Sequence, residues 1–295
     1  MGEAGRGHRS GVVALLGRPN VGKSTLLNHL LGEKLAIVTS RPQTTRSRVL
    51  GILSRPDAQL LLVDTPGLHG GSRPLDRAMR AAAEEAAGDC DVALVLVDPA
   101  RPPAPGADEW LAGLLAGGKP ALVVATRIDR PEIAAAPWPP PGVDPSAALR
   151  VSAHTGEGVA ALLEAVVQRL PLAPPYYPSD QLSDRPARFF AAEAVREAAF
   201  ELLAQELPYE VAAEVLDFDE SDPRLVRIQA NLLVRRESQK RIAVGRGGEV
   251  VKAIGVRARQ ALEQQLGSRV YLGLRVKVEP DWAKHPKRLK SLGYH

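Results

Sequence analysis

Gly17-Arg18-Pro19-Asn20-Val21-Gly22-Lys23-Ser24 has the spacing G-x-x-x-x-G-K-S, which serves phosphate binding. In such a loop the backbone N–H groups point inward and the following helix aims its N-terminus at the anion, so donors and a positive dipole end meet a β-phosphate together. Gly22 allows close backbone approach, and Lys23 would bridge the β- and γ-phosphates as a point charge. Ser24 would give its hydroxyl to Mg²⁺, a hard cation that takes oxygen ligands and keeps several waters.

A second set follows in Asp64-Thr65-Pro66-Gly67. Asp64 would hold the Mg²⁺ through a water, and the Gly67 N–H would bond the γ-phosphate and report its loss. Between the two motifs lies the polar segment Arg41-Pro42-Gln43-Thr44-Thr45-Arg46, where a γ-phosphate-sensing switch loop is expected. Thr45, or else Thr44, would complete the metal coordination and leave it after hydrolysis. A base reader is expected at a later strand end, and Thr126-Arg127-Ile128-Asp129 stands there. A carboxylate such as Asp129 accepts from both guanine N1–H and the exocyclic amine, a pair adenine does not offer. Ser152-Ala153 and the turn running on to Gly158 would present a backbone N–H to guanine O6, or else form an ordinary strand-to-helix turn.

Far along the chain, Gly245-Arg246-Gly247-Gly248 joins two helical patterns, with Lys252 just beyond. A Gly-x-x-Gly turn lets a nucleic-acid backbone approach without side-chain obstruction, as in modules that clamp about four nucleotides of single strand. From Arg224 to His295 there are 17 basic and 5 acidic side chains. That asymmetry suggests a polyanionic partner, with a plain solvated basic surface as the alternative.

These residues need elements to position them. Val12–Leu16, Leu60–Val63, Val92–Val97, Ala121–Ala125 and Leu149–Val151 are short apolar runs separated by helical stretches. The alternation predicts an α/β fold with a mostly parallel sheet, whose ligands sit at the carboxyl ends of the strands. Both glycine motifs fall on that edge. Pro99 to Pro105 and Pro131 to Pro145 read as irregular loops, because proline lacks the N–H that helix and central strand use. Pro171-Leu172-Ala173-Pro174-Pro175 ends an amphipathic helix and reads as a linker.

Beyond it a helix carries Val195, Leu202 and Leu203 on one side. Alternating Val226 to Val234, a helix with Val250, Ile254, Ala258, Leu262 and Leu266, and a strand over Val270 to Val278 follow. The order β-β-α-α-β is that of a smaller α+β domain. The expected division is residues 1–10 as a flexible N-terminus, 11–172 as the first domain, 173–188 as linker and 189–295 as the second.

Composition agrees with a globular protein of two domains: 295 residues, 45% hydrophobic and 24% charged, with a formal net charge of +4. A single cysteine, Cys90, excludes a disulfide framework and points to a reducing cytosol. No apolar run reaches membrane-spanning length, so any membrane contact is expected to be peripheral.

Together these residues resemble the Era family of GTPases, over about Gly11 to Tyr294. The phosphate loop with Thr25-Leu26-Leu27-Asn28, Gln43-Thr44-Thr45-Arg46, Val63-Asp64-Thr65-Pro66-Gly67-Leu68-His69, Ile242-Ala243-Val244-Gly245 through Ile254-Gly255, and Ser291-Leu292-Gly293-Tyr294 carry the likeness. The resemblance implies a P-loop GTPase domain followed by a type II KH domain, in a monomer that binds GTP and GDP with Mg²⁺. It implies binding to the 3′ end of small-subunit ribosomal RNA, assistance to small-subunit maturation, and a cytoplasmic protein with peripheral contact at the inner face of the cell membrane.

In this family the residue after the Asp-Thr-Pro-Gly turn is hydrophobic, here Leu68, where Ras-like proteins carry a water-orienting glutamine. Slow turnover resting on phosphate positioning is therefore expected. Asn20 matches an asparagine that ligates potassium in related GTPases. One departure stands out: the family reads the base with Asn-Lys-x-Asp, and this chain has Thr126 and Arg127 in the first two places. A hydroxyl cannot bond both guanine N7 and the neighbouring loop as an amide does, so weaker but preserved guanine preference is expected, at a cost of roughly 1 kcal/mol. Thr126 also leaves open an ATPase or relaxed NTPase. An RNA-binding module with a decayed nucleotide site is a further alternative. Lys284, Lys287, Arg288 and Lys290 near the end would bind RNA phosphates or anionic lipid, RNA being favoured.

Overall fold

The structure is a computed structural model that describes residues 7–39, 41, 44–68, 74–102, 104 and 106–294. Of the expected switch and flanking residues, Pro42, Gln43 and His69 lie outside the described residues. The described residues within 1–36 and 45–184 form one compact unit, and those within 37–44 and 185–295 form another.

The first unit runs β1 (Arg9–Gly17), α1 (Lys23–Leu31), β2 (Val49–Ser54), β3 (Ala58–Asp64), α2 (Pro74–Asp89), β4 (Val92–Val97), α3 (Ala107–Ala116), β5 (Ala121–Ala125), α4 (Pro131–Ala134), β6 (Ala148–Arg150) and α5 (Val159–Arg169). Its six strands lie in the order β2-β3-β1-β4-β5-β6. All neighbours pair in parallel except β2, which runs antiparallel to β3. Every residue of β3 is buried, as expected of a strand covered on both faces. The phosphate loop leaves β1 where the strand order reverses between β3 and β4, the place where open α/β sheets bind ligands.

Several expectations are corrected here. Residues 9 and 10, read as part of a flexible N-terminus, already belong to β1. The second proline-rich insert is not wholly irregular: Pro131 starts α4 at a first-turn position where no N–H is needed, and Pro145–Ala147 form a 3-10 turn. The stretch after α5, read as linker, is fastened to the first unit. Tyr176 and Tyr177 N–H donate to Gln59 Oε1 at 2.7 and 3.0 Å, and Ile52 N–H donates to the Leu182 carbonyl at 2.9 Å.

The second unit runs α6 (Ala187–Leu202), β7 (Ala212–Asp219), β8 (Leu225–Val234), α7 (Glu237–Val244), α8 (Glu249–Leu266), β9 (Arg269–Val278) and α9 (Pro286–Ser291). The sheet order is β7-β8-β9, with β7 antiparallel and β9 parallel to β8. Val195 and Ala199 of α6 and Ile254 and Ala258 of α8 pack on Ala230, Leu232 and Val234 of β8, all buried. Leu202, expected inward, is 46% exposed, because α6 ends there and Leu203 takes the inward place. Part of the expected switch belongs to this unit: Arg41 Nη1 donates to the Leu203 carbonyl at 2.6 Å and Val38 N–H to Glu197 Oε1 at 3.3 Å.

Candidate nucleotide site and glycine turn

Strand register places the motifs on one edge. Leu15 pairs with Asp64, Gly17 with Leu96, Val97 with Ala125 and Ala125 with Arg150, so the phosphate loop, the Asp-Thr-Pro-Gly turn, Thr126 and Ser152 all emerge from the carboxyl ends of neighbouring strands. Gly22 caps α1 without a side chain bonding its first N–H groups, and no acidic residue occupies the first turn. Those donors and the positive end of the helix dipole are thus left for an anion. Lys23 Nζ donates to the Gly17 and Arg18 carbonyls at 3.1 and 3.0 Å, closing the loop on itself. Burial pushes the Lys23 ammonium down to about 8, against the opposing pull of Asp64. A cation held so close to its neutral form gains strongly from a phosphate.

Three residues assigned to Mg²⁺ from the sequence come together. Ser24 Oγ donates to Asp64 Oδ2 at 2.6 Å and lies 2.9 Å from Thr45 Oγ1, which is itself 3.2 Å from the same carboxylate oxygen. Asp64 is fully buried, and among the described residues its other oxygen, Oδ1, has no hydrogen-bond partner. Desolvation raises the carboxyl above its ordinary range, with Lys23 opposing. Two hydroxyls and an orphaned buried carboxylate oxygen form the hard oxygen donor set that Mg²⁺ requires.

The turn after β3 is locked to the phosphate loop. Thr65 Oγ1 donates to the Leu15 carbonyl at 2.7 Å and Leu68 N–H to that of Gly17 at 3.1 Å. A Cβ on Gly67 would stand 2.6 Å from Pro19 Cα and 2.7 Å from its nitrogen, so this turn approaches the loop too closely for any side chain. Leu68 is buried among Ala14, Leu16 and Val63, and offers no group to a water.

At the base end, Ser152 Oγ donates to Asp129 Oδ1 at 2.6 Å and accepts from the His154 and Thr155 N–H groups at 3.2 and 3.1 Å. That bond is the main reason the Asp129 carboxyl stays below its ordinary range. Asp129 is exposed and ionised while Ser152 is fully buried, which holds one oxygen and leaves the carboxylate edge open. Ala153 follows in the same turn, partly buried. Arg127 has φ 60° and its Nη1 lies 3.7 Å from Asp98 Oδ2. Thr126 does not face outward: its Oγ1 donates to the Val21 carbonyl at 2.5 Å.

Sequence reasoning missed a cross-tie. Arg101 Nη1 donates to the Pro19 carbonyl and Arg18 Nη1 to that of Pro102, each at 2.8 Å, and Asp98 lies 3.6 Å from Arg101. The only sequence signal was an acid and a base three apart beside a proline-rich loop. Ser152's contribution through its side chain was missed as well.

In the second unit Gly245, Gly247 and Gly248 have φ of 76°, 60° and 86°, a left-handed run open to glycine. A Cβ on Gly247 or Gly248 would meet nothing within 4 Å, so the turn presents bare backbone. Arg246 and Lys252 are exposed beside it, as is Ile242, which is 59% exposed. Gln239 Oε1 accepts from the Arg235 and Arg236 N–H groups at 2.8 and 3.1 Å and anchors the start of α7. Of the basic residues near the end, Arg288 is held internally by Glu279 and Glu214, at 2.6 and 2.7 Å, and Lys284 pairs with Asp281 at 2.8 Å.

A family model described as a 50S ribosome-binding GTPase matches residues 12–127, and one described as a KH domain matches residues 206–283. The protein GTPase Era of Syntrophus aciditrophicus (strain SB) is 41% identical over 297 residues, covering 97% of this chain and 95% of its own. That of Geotalea uraniireducens (strain Rf4) is 41% identical over 295 residues, covering 97% and 98%. A crystal structure of Era in complex with MgGDPNP and nucleotides 1506–1542 of 16S ribosomal RNA aligns with a TM-score of 0.87 at 35% identity, over 97% of this chain and 99% of that one. Likeness of that extent settles the family: the chain is a member of the Era GTPases, an enzyme that hydrolyses GTP on a P-loop domain followed by a KH domain.

Proposed function

We propose that this GTPase uses a Mg²⁺-dependent GTP switch to control its grip on the 3′ end of 16S ribosomal RNA, and that it assists biogenesis of the small ribosomal subunit. The observation that carries the switch is the convergence of Ser24, Thr45 and Asp64 on one point, with Asp64 Oδ1 buried and unpartnered. Ser24 and Thr45 would hold the metal directly and Asp64 through a water. Held there, Mg²⁺ would supply charge neutralisation at the nucleotide's phosphate oxygens.

The chain's own residues do the rest. Lys23 and the α1 N-terminus bind phosphate, the Gly67 N–H senses the γ-phosphate, and Thr45 signals its presence to the segment before it. Asp129 reads the guanine edge, with Ser152 orienting it, Ala153 offering its N–H to O6, and Arg127 covering the ring with its planar guanidinium. Leu68 supplies no base, so turnover is slow and rests on electrostatic positioning. The ATPase alternative is not favoured, because Asp129 keeps the contact that separates guanine from adenine.

Support for the RNA partner is the matched Era complex, which holds nucleotides 1506–1542 of 16S ribosomal RNA, together with the open glycine turn beside Arg246 and Lys252. Asn20, within the phosphate loop and with φ 58°, is the proposed potassium ligand. Equal turnover in potassium and sodium buffers would remove that role. Among the described residues no helix is long and apolar enough to cross a membrane. The proposed association with the inner membrane face is peripheral, and exposed Lys287 and Lys290 are proposed to bind RNA phosphates, with anionic lipid as the alternative. The protein is proposed to act as a cytoplasmic monomer. Single-turnover phosphate release from GTP, with and without an RNA of the 16S 3′ end, tests the whole reading: Mg²⁺-dependent release that the RNA alters is expected, and release indifferent to both overturns it.

A further inference from the structure

Thr126 replaces an asparagine of the family's base-reading motif, and the structure shows which half of the amide's work the hydroxyl keeps. An amide has two N–H donors to share between a neighbouring loop and a ring nitrogen, whereas a hydroxyl has one. Thr126 Oγ1 lies 2.5 Å from the carbonyl oxygen of Val21 in the phosphate loop and 3.5 Å from that of Val97. Both neighbours are acceptors, so the single proton is committed to backbone carbonyls. The residue is 4% exposed, its own N–H donates to Val97 at 3.1 Å, and a Cβ on Gly22 would stand 3.7 Å from its Oγ1. Thr126 is wedged between the end of β5 and the phosphate loop, with no proton left for a base. Arg127, the next cation on this edge, has its Nη1 directed to Asp98.

We infer that Thr126 is a positioning residue that ties the phosphate loop to β5 and leaves guanine N7 unread, so that this site recognises any purine nucleotide bearing the N1–H and 2-amino edge, whatever occupies the 7-position. Guanine N7 is an acceptor only and needs a donor that Thr126 has already spent. The inference rests on the assignment of Asp129 to the guanine edge, and it deepens that assignment: discrimination falls to the carboxylate alone.

The test compares GDP with 7-deaza-GDP, in which a carbon replaces N7, by calorimetry on the full chain with Mg²⁺. The wild-type protein is expected to bind the two within about twofold, because no hydrogen bond is lost. Thr126→Ser should behave like wild type. Thr126→Val, which keeps the shape and removes the proton, should weaken both nucleotides by the same factor of about five. Thr126→Asn should gain a preference for GDP of about fivefold. A wild-type preference for GDP of that size overturns the inference, as does Thr126→Asn with no gain. Asp129→Asn read against GDP and XDP keeps the two levels apart: a shift toward XDP upholds the base-site assignment whatever happens at N7, and no shift overturns that assignment and this inference with it.

Discussion

The chain carries two devices made of glycine backbone and a cation, and they are built in opposite ways. In the first unit Lys23 is 6% exposed, folded onto the Gly17 and Arg18 carbonyls, and pushed by burial to about 8. In the second, Arg246 and Lys252 stand in solvent beside glycines whose Cα atoms face open space. The buried device has its desolvation cost met during folding and is preoriented for one small ligand, so a phosphate entering it acts in low dielectric. The exposed device, as the proposed nucleic-acid contact, would keep its hydration until a polymer arrives, with a strength set by counterion release. On the proposed reading, catalysis uses the first arrangement and nucleic-acid docking the second.

The largest effect expected from breaking the contrast is at the buried cation. Lys23→Ala should lower single-turnover GTP hydrolysis by about 10²–10³-fold, the loss typical of one preorganised electrostatic group. RNA binding by the nucleotide-free protein should not change, and a comparable loss there would show that the two devices are not separable in this way. Next comes Asp129→Asn. On the proposed base-site assignment it would exchange a charge-assisted pair of bonds to guanine for a neutral mismatch, and GDP affinity should fall by about 10²-fold while XDP gains. Titration calorimetry with the two nucleotides reads both directions at once.

The two devices were also unequally legible in the sequence. Linear spacing carried the phosphate loop, because all its donors lie within eight residues, the run before it, Val12–Leu16, fell inside β1, and α1 begins directly at Lys23. The convergence of Ser24, Thr45 and Asp64 followed from motif identity, yet the orphaned Asp64 Oδ1 needed coordinates. Contacts between loops left no local trace: Arg101 on Pro19, Ser152 on Asp129 and Thr126 on Val21 each join residues more than twenty positions apart. Thr126 is the sharpest case, since its substitution was visible and the direction of its one proton was not. Strand β2 went unread because only β3 pairs with it, at the sheet edge, and Gly51 and Ser54 interrupt its apolar pattern. The exposed turn was legible as a motif, but the charge excess around it did not distinguish free cations from paired ones such as Arg288.

That distinction gives a smaller and sharper test on the exposed side. Arg246→Gln with Lys252→Gln should weaken binding of a single-stranded 16S 3′ fragment by roughly tenfold and flatten the dependence of log K on log salt by about 1.4, near 0.7 for each phosphate contact on a single strand. Intrinsic GTP hydrolysis should stay at its wild-type rate. An unchanged salt slope, measured by fluorescence anisotropy between low and moderate salt, would move the RNA contact away from this turn.

The smallest effect is expected at Arg288, which by charge alone looked like part of the same RNA surface. Its guanidinium forms a bidentate pair with Glu279, at 2.6 and 2.9 Å, and reaches Glu214 at 2.7 Å; the three side chains are 23 to 25% exposed. Those partners, Glu214 first, hold it well above the ordinary arginine range, so its charge is spent on joining α9 to β7 and to the residue after β9. Arg288→Met keeps the aliphatic stem and removes the bonds. It should cost about 1–2 kcal/mol of stability in urea denaturation, because two partly buried carboxylates lose a shared partner. RNA affinity and its salt slope should be unaltered. A loss of RNA binding at unchanged stability would return Arg288 to the docking surface and erase the line drawn here between cations that hold the fold and cations that wait for a partner.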